Sequence, residues 1–257
     1  MTVPLRRDPG LWLLLHLRPL HDRSGDEHGR CTVCGAETRF VRNSWILSRE
    51  LRQAWPPGFV ARESMLCAEC GSSLRVRLLA EALLALYGAG ARSVAELVQE
   101  PGFRGLRVAE INAAGRMHPF LAVHPALTYV EYPQEDIQSL SWPDDSYDLV
   151  LTSETLEHVP DLRRALAETR RVLRPGGRHL LTVPVDPRRD VTASRDWLPE
   201  QHHGRGGGPF ALVTRRADML AHWDIGRDMP ELLREAGFEP EPTGAEEEEG
   251  VYAATAR

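Results

Sequence analysis

Strand, helix and strand signals alternate across residues 142–185, a pattern that leaves few folds open. Residues 147–151 (YDLVL) form a short apolar run behind a turn and predict a strand buried on both faces. Asp161 is a candidate helix N-cap, apolar residues follow it at helical spacing, and Pro175-Gly176-Gly177 ends the helix. Residues 179–185 (HLLTVPV) predict the second strand. Two strands joined in this way form a right-handed parallel crossover.

The residues of this unit resemble the middle of class I S-adenosylmethionine (SAM)-dependent methyltransferases. The resemblance is carried by DDSYDLVLTSETLEHVPD and the following RRVLRPGGRHLLTVP. It implies an α/β fold with a Rossmann-like, seven-stranded, mostly parallel sheet and helices on both faces. In that family the first strand of the unit is the fourth of the sheet, and the LEH turn behind it faces the substrate. SAM is the cofactor that the resemblance implies.

Other elements of the core are predicted on both sides of this unit. Residues 106–111 (LRVAEI) predict the first strand of the sheet, and residues 128–132 (TYVEY) the second. Residues 228–236 predict a helix, and residues 251–256 (VYAATA) an antiparallel strand inserted near the edge. We therefore expect a core domain over residues 89–257.

The resemblance also implies a set of cofactor-binding residues. In the family an acidic residue ends the first strand, glycines follow it, and a second acid binds the ribose hydroxyls. A third acid and an apolar neighbour then hold the adenine. Carried onto this chain, the set is Glu110, Asn112, Gly115, Glu131, Asp136, Ile137 and Ser153. Asn112 replaces an expected glycine, and Asn tolerates the left-handed backbone better than most residues.

Two histidines are candidate general bases. Methyl transfer is an in-line displacement in which the protein supplies alignment, and a base is needed only for a weakly acidic acceptor. His158 lies in the LEH turn, and His203 lies in a long polar loop over residues 186–212, predicted to be a lid. A turn histidine that bonds only to backbone is the alternative for His158.

Four cysteines predict a metal site in the N-terminal region. They occur as Cys31-Thr-Val-Cys34-Gly and Cys67-Ala-Glu-Cys70-Gly, and two such turns supply four thiolates to one tetrahedral zinc ion. A site of four thiolates has no open position, so we expect structural Zn²⁺. Disulfides and a redox pair are the alternatives. Residues 1–88 are therefore predicted to hold an N-terminal helix, this zinc module and a linking helix over residues 72–86.

Charge and apolar content argue against nucleic acid and membranes as partners. Net charge is −6, and residues 1–80 carry a balance of only +4, far from a basic nucleic-acid footprint. The apolar run at residues 11–17 (LWLLLHL) is too short for a membrane span and lacks a cleavage site, so we expect no signal peptide or anchor. We expect it to form a helix that packs on the body or joins two copies as a homodimer. A cytoplasmic location is predicted.

Three functions remain open from the sequence. The first is a SAM-dependent methyltransferase acting on a small-molecule acceptor such as a sugar or secondary-metabolite hydroxyl. The second is an RNA methyltransferase that uses the zinc module as a clamp, against which the acidic core domain argues. The third is a non-catalytic scaffold with the same fold, favoured by the poor glycine content after Glu110 and the short segment before Glu135.

Overall fold

The computed structural model describes residues 27–42, 57–195, 221–244 and 249–257. The predicted helix at residues 11–17 lies outside the described residues. So does His203, together with the predicted lid from residue 196 onward.

Eleven strands are found in the described part of the chain. They are β1 (Glu27–Arg30), β2 (Glu37–Arg42), β3 (Met65–Cys67), β4 (Val108–Ile111), β5 (Leu127–Val130), β6 (Tyr147–Ser153), β7 (Leu173–Thr182), β8 (Ala193–Ser194), β9 (Trp223–Asp224), β10 (Phe238–Glu241) and β11 (Val251–Ala256).

Seven α-helices accompany them in the same ranges, besides two single 3₁₀ turns. The helices are α1 (Pro57–Ser64), α2 (Leu74–Tyr87), α3 (Val94–Leu97), α4 (Pro101–Arg104), α5 (His118–Leu121), α6 (Leu162–Val172) and α7 (Met229–Glu235). The 3₁₀ turns are Gly115–Met117 and Leu156–His158.

A mostly parallel sheet forms the core, in the order β10-β11-β7-β6-β4-β5. Strands β5, β4, β6 and β7 pair in parallel, whereas β11 pairs antiparallel with both β7 and β10. The predicted antiparallel strand at residues 251–256 is therefore confirmed, inserted beside the edge strand. A Rossmann-like α/β arrangement follows from this topology.

The sheet has six strands in the described residues, and the expected seventh is not among them. Residues 131–146, between β5 and β6, contain turns but neither helix nor strand. A further parallel strand in this segment would need two crossover connections of a dozen or more residues each, and the segment has only 16 residues. Strand β5 is consequently an edge strand, and Tyr129 on it is 37% exposed.

The predicted strand–helix–strand unit is present as β6, α6 and β7. Asp161 caps α6, because its carboxylate accepts a hydrogen bond from the Arg164 amide at 2.9 Å. The following strand begins at Leu173, earlier than predicted, and its pairing with β6 shifts register around the Pro-Gly-Gly turn. Gly176 there has φ +77°, a conformation that favours glycine.

An N-terminal module packs directly on the core. Strands β1, β2 and β3 form an antiparallel sheet, and α1 precedes β3 between the two cysteine pairs. The amides of Val94 and Ala95 donate to the carbonyls of Thr32 and Val33, at 2.8 and 3.1 Å. Since these bonds cross the boundary predicted near residue 88, the first cysteine turn is anchored on α3.

The apolar core is divided between the two faces of the main sheet. On one face, helices α2 and α3 and all four cysteines share a continuous cluster with buried side chains of β4 and β6. On the other face, α6 and α7 pack on the sheet around Leu166 and Phe238. Within the described part of the chain, none of the helices has the length and apolarity that crossing a bilayer requires.

Candidate functional site

Strand order alone places a crevice at one edge of the sheet. The chain leaves β4 for β5 on one side and then returns to β6 on the other side of β4. Ligands of open α/β sheets bind outside the carboxyl ends of the strands at such a reversal. The residues that follow β4 and end β6 therefore line the candidate site.

Asn112 is central to this edge. It follows β4 in the left-handed conformation, with φ +57°. This is the conformation that glycine adopts readily and that Asn tolerates. Its Oδ1 accepts a hydrogen bond from the Tyr132 amide at 3.2 Å, and its Nδ2 donates to the Thr155 Oγ1 at 3.4 Å. One side chain thus joins the loops that leave β4, β5 and β6.

Glu110 supports the loop from beneath. Its side chain is fully buried, with Oε1 accepting from the Ala114 amide at 2.8 Å and Oε2 lying 2.6 Å from the His118 Nδ1. The hydrogen bond to Glu110 raises the pKa of His118. Because both carboxylate oxygens are engaged within the loop, Glu110 shapes the loop that would approach a cofactor.

The other acidic candidates follow β5. Glu131 is half-buried directly after the strand and accepts a hydrogen bond from the Tyr129 hydroxyl. Asp136 accepts from the amide and the side-chain nitrogen of Gln138, at 2.9 and 3.0 Å. Ile137 is 4% exposed and belongs to the core cluster on the α6 face.

The remaining two cofactor candidates contact helix α2. Gly115 has φ +53°, and a Cβ there would come within 3.1 Å of the Val76 side chain. Ser153 ends β6 and accepts a hydrogen bond from the Arg75 Nη1 at 2.5 Å. The site is therefore closed on one side by the helix that follows the second cysteine pair.

The four cysteines converge at a single buried point. Their sulfur atoms all lie within 4.8 Å of one another, with Cys31–Cys70 at 3.8 Å and Cys34–Cys67 at 3.9 Å. A disulfide requires about 2.05 Å, so none is formed. A tetrahedron with Zn–S bonds of about 2.3 Å has edges of about 3.8 Å. The donor set therefore fits zinc in both chemistry and spacing.

Hydrogen bonds among the four cysteines raise the pKa of Cys34 and Cys70, whereas they favour the thiolate at Cys67. Hydrogen bonds from Cys31 and Cys34 lower the pKa of the Cys67 thiol, and the thiolate is the form that binds metal. The Cys70 amide lies 3.4 Å from the Cys67 sulfur. The Arg116 Nε also donates to the Cys70 carbonyl at 3.0 Å, which connects the cysteine cluster to the loop after β4.

A network of ion-paired side chains lies at the end of β6, and no sequence pattern indicates it. Arg62 on α1 donates to Glu154 at 2.8 Å and to the Val183 carbonyl at 3.1 Å. Arg75 on α2 donates to Glu63 on α1, also at 2.8 Å. The segment between the cysteine pairs thus reaches the carboxyl edge of the sheet.

The LEH turn continues from this network. Glu154 has φ +49°, which turns the chain sharply away from β6. Glu157 is 1% exposed, and its Oε1 lies 3.5 Å from the His158 Nε2. Burial, and next the charge of Glu154, raise the pKa of Glu157 well above its ordinary value.

Glu157 could be identified from the sequence more easily than Arg62 and Glu63. Glu157 lies inside the LEH turn, beside the candidate base His158. Its burial raises its pKa, and burial of a single side chain cannot be seen in the sequence of the turn. Arg62 and Glu63 had no signal, because their partners are distant in sequence: Arg62 and Glu154 are 92 positions apart.

The described ends of the lid loop pack on the same turn. Strands β8 and β9 pair with each other, and the His222 amide donates to the Glu157 carbonyl at 2.8 Å. The Trp223 indole donates to the Val159 carbonyl, also at 2.8 Å. The loop therefore leaves and rejoins the body beside the LEH turn.

Comparison with known proteins found similarity in the central part of the chain. Residues 86–181 match the family described as methyltransferase domain. The fatty-acid O-methyltransferase of Mycolicibacterium smegmatis is 31% identical over 149 residues, covering 57% of this chain and 48% of the relative. The 27-O-demethylrifamycin SV methyltransferase of Amycolatopsis mediterranei is 34% identical over 116 residues, covering 44% and 36%.

Among solved structures, the chain is similar to 1,6-didemethyltoxoflavin-N1-methyltransferase of Burkholderia thailandensis, bound to 1,6-didemethyltoxoflavin and S-adenosylhomocysteine. Identity is 18% and the TM-score is 0.43, covering 71% of this chain and 78% of that one. The chain spans about half or less of the two curated relatives. Residues 86–181 are thus similar to methyltransferase domains, and the curated relatives are methyltransferases.

Proposed function

We propose that the chain transfers a methyl group from SAM to a small-molecule acceptor. The observation that carries this is the crevice at the β4/β6 reversal, lined by Asn112 and by the turn after β6. The named substrates of the relatives, a fatty acid and a demethylrifamycin, also support a small-molecule acceptor. SAM would supply a methyl group on a positively charged sulfur, which needs no further activation.

Glu131 is assigned to the cofactor's ribose. It stands directly after β5 at the carboxyl edge of the sheet, and a carboxylate offers enough lone pairs to accept from two hydroxyls while also accepting from Tyr129. Asp136, farther along the same loop, is assigned to the adenine amine, with Ile137 beside it. Asn112, Gly115 and Ser153 would face the methionine half, on the loop that Glu110 holds.

Isothermal titration calorimetry with SAM tests this proposal. We expect binding by the wild-type chain and a loss of about tenfold or more in Glu131→Ala, since hydrogen bonds to a charged group contribute about 1.5–3 kcal/mol. Glu135→Gln is the matched control, because this carboxylate accepts from Ser141 in the same loop. Equal affinities of wild type and Glu131→Ala would remove the ribose assignment.

A non-catalytic scaffold is the second candidate, and a specific observation favours it. The Asn112 side chain crosses the crevice to bond with both Tyr132 and Thr155. In addition, only single short helical turns separate β4 from β5. A scaffold of this kind would show no heat of binding with millimolar SAM, so the same titration separates the two functions.

We further propose that the four cysteines hold one structural zinc ion. The basis is the spacing of their sulfurs and their burial in the core. A closed tetrahedron of thiolates leaves no position for a substrate, so the metal would stabilise the fold and the seating of α1. Elemental analysis of the purified chain should find one zinc per molecule, and none in a variant with Cys34 and Cys67 replaced by serine.

A further inference from the structure

Glu110 is a buried carboxylate with one ionisable partner. Its side chain is 0% exposed, and its Oε1 accepts a hydrogen bond from the Ala114 amide in the following loop. Its Oε2 lies 2.6 Å from the His118 Nδ1, and among the described residues this imidazole is the only ionisable group paired with Glu110. Buried charges are normally paired, because desolvation of an unpaired charge is costly. The environment of Glu110 therefore depends on His118.

Strand β5 holds His118 from its other side. The His118 ring packs against the Tyr129 ring, with centroids 4.2 Å apart and planes inclined at 39°. The Tyr129 hydroxyl donates to the Glu131 carboxylate directly after the strand. Glu110, His118, Tyr129 and Glu131 thus form one continuous series of contacts. Its two ends are acids that belong to the candidate cofactor site.

His118 can exchange protons with solvent while the chain is folded. Its side chain is 27% exposed, whereas that of Glu110 is fully buried. A change in the pH of the solution therefore reaches the buried carboxylate through the imidazole. No unfolding of the loop is required for this exchange.

Charged and titratable groups lie on each element around His118. They are Glu110 on β4, Tyr129 on β5, Glu131 after β5, Arg116 in the preceding turn, and Glu96 on α3, which packs on α5. Arg116 donates to the Cys70 carbonyl, and Glu96 pairs with Arg30. The hydrogen bond to Glu110 raises the pKa of His118, burial opposes this, and the charges of Glu110 and Glu131 raise it further.

We propose that His118 is a positioning residue for the cofactor, which it serves through Glu110 and Tyr129, and that SAM binds most tightly when the imidazole is protonated. This inference rests on the proposed methyltransferase function. The Ala114 amide that Glu110 holds lies between Asn112 and Gly115, the residues assigned to the methionine half of SAM. No contact between His118 and the cofactor is required.

Loss of the proton weakens this arrangement without breaking it. A neutral imidazole with its hydrogen on Nδ1 still donates to Glu110, but a charge-assisted hydrogen bond is about twice as strong as a neutral one. Because the pKa is raised, the charged pair is complete below about pH 6.5 and is lost as pH rises through the raised value. We expect SAM to bind about fivefold more weakly once the charge is lost.

Isothermal titration calorimetry at several pH values tests the charge. Wild type is compared with His118→Asn, because the asparagine amide keeps an N–H donor but cannot ionise. The amino group of SAM itself titrates near pH 7.7–8.0, so the quantity measured is the ratio of the variant Kd to the wild-type Kd. We expect a ratio of about five at pH 6 that falls toward one by about pH 9.

His124→Asn is the matched control. His124 is also largely buried, but its ring nitrogens bond only to the Phe103 carbonyl and the Ala126 amide, at 2.9 and 3.2 Å. Its Kd ratio should be constant over the same pH range, since a purely structural histidine does not change the pH profile of binding. A constant ratio for His118→Asn, or one that rises with pH, overturns the proposal.

Nuclear magnetic resonance measures the same coupling from the side of the proton. If protonation of His118 strengthens SAM binding, then saturating SAM must raise the pKa of His118 by the same factor. We expect this rise in wild type, and a pKa closer to the ordinary value in ligand-free Glu110→Gln. A His118 pKa that SAM leaves unchanged or lowers overturns the proposal. Since that measurement uses wild type alone, it decides even where a variant fails to fold.

Failure of this inference is distinguishable from failure of the proposed function. Absence of SAM binding by wild type at every pH overturns the methyltransferase proposal, and the role of His118 with it. SAM binding with a constant Kd ratio for His118→Asn overturns only the role of His118.

Discussion

Asn112 occupies the left-handed backbone region, at φ +57°, where an L-residue other than Asn or Gly pays about 1 to 2 kcal/mol of strain. The sequence indicated this position, because Asn stands where the related family has glycine. The sequence did not indicate its two hydrogen bonds, since Tyr132 and Thr155 belong to other loops. The preference of Asn for the left-handed backbone is a property of one residue. Its hydrogen-bond partners instead depend on the order of the strands in the sheet.

Substitutions at Asn112 separate backbone strain from side-chain bonding. Both Asn112→Gly and Asn112→Ala lose the hydrogen bonds, but only alanine is strained at this φ. We expect the alanine variant to be less stable than the glycine variant by about 1 kcal/mol, measured by urea unfolding. Equal stability of the two would mean that the loop does not hold its left-handed turn in solution.

Helix α6 and the strands beside it were the most predictable elements. Asp161 and the Pro175-Gly176-Gly177 turn act within a few residues of the helix ends, so short-range patterns bound the helix. The seventh strand was expected from family resemblance alone, and residues 131–146 make turns in its place. The position of helix α1 could not be predicted from the sequence, because its contacts with the end of β6 are long-range.

The N-cap residue of α6 allows a test of how the helix is stabilised. Replacing Asp161 by Ala removes the bond to the Arg164 amide and should lower the free energy of unfolding by about 1 kcal/mol. Asp190→Ala is the control, because its ion pair with Arg227 is exposed and such pairs contribute little. A loss in Asp161→Ala no larger than in the control would contradict the capping role.

Core packing crosses the domain boundary that the sequence predicts near residue 88. Cys31, Cys34, Cys67 and Cys70 pack in one cluster with residues of α2, α3, β4 and β6. The Cys70 carbonyl also accepts from Arg116, on the loop after β4. The proposed zinc ion, the candidate cofactor loop and one face of the sheet therefore share a single core.

Removing the metal should consequently destabilise the whole chain. Structural zinc contributes on the order of 10 kcal/mol to small zinc domains, so we expect a chelator to lower the melting temperature in one cooperative transition. Trp142 and Trp223 report on it by fluorescence, because both pack against the core on the opposite face of the sheet. Two outcomes would contradict a shared core: a tryptophan transition unchanged by chelation, or an N-terminal region that stays fully protected from protease. Magnesium, which prefers oxygen ligands, should not restore the transition, whereas added zinc should.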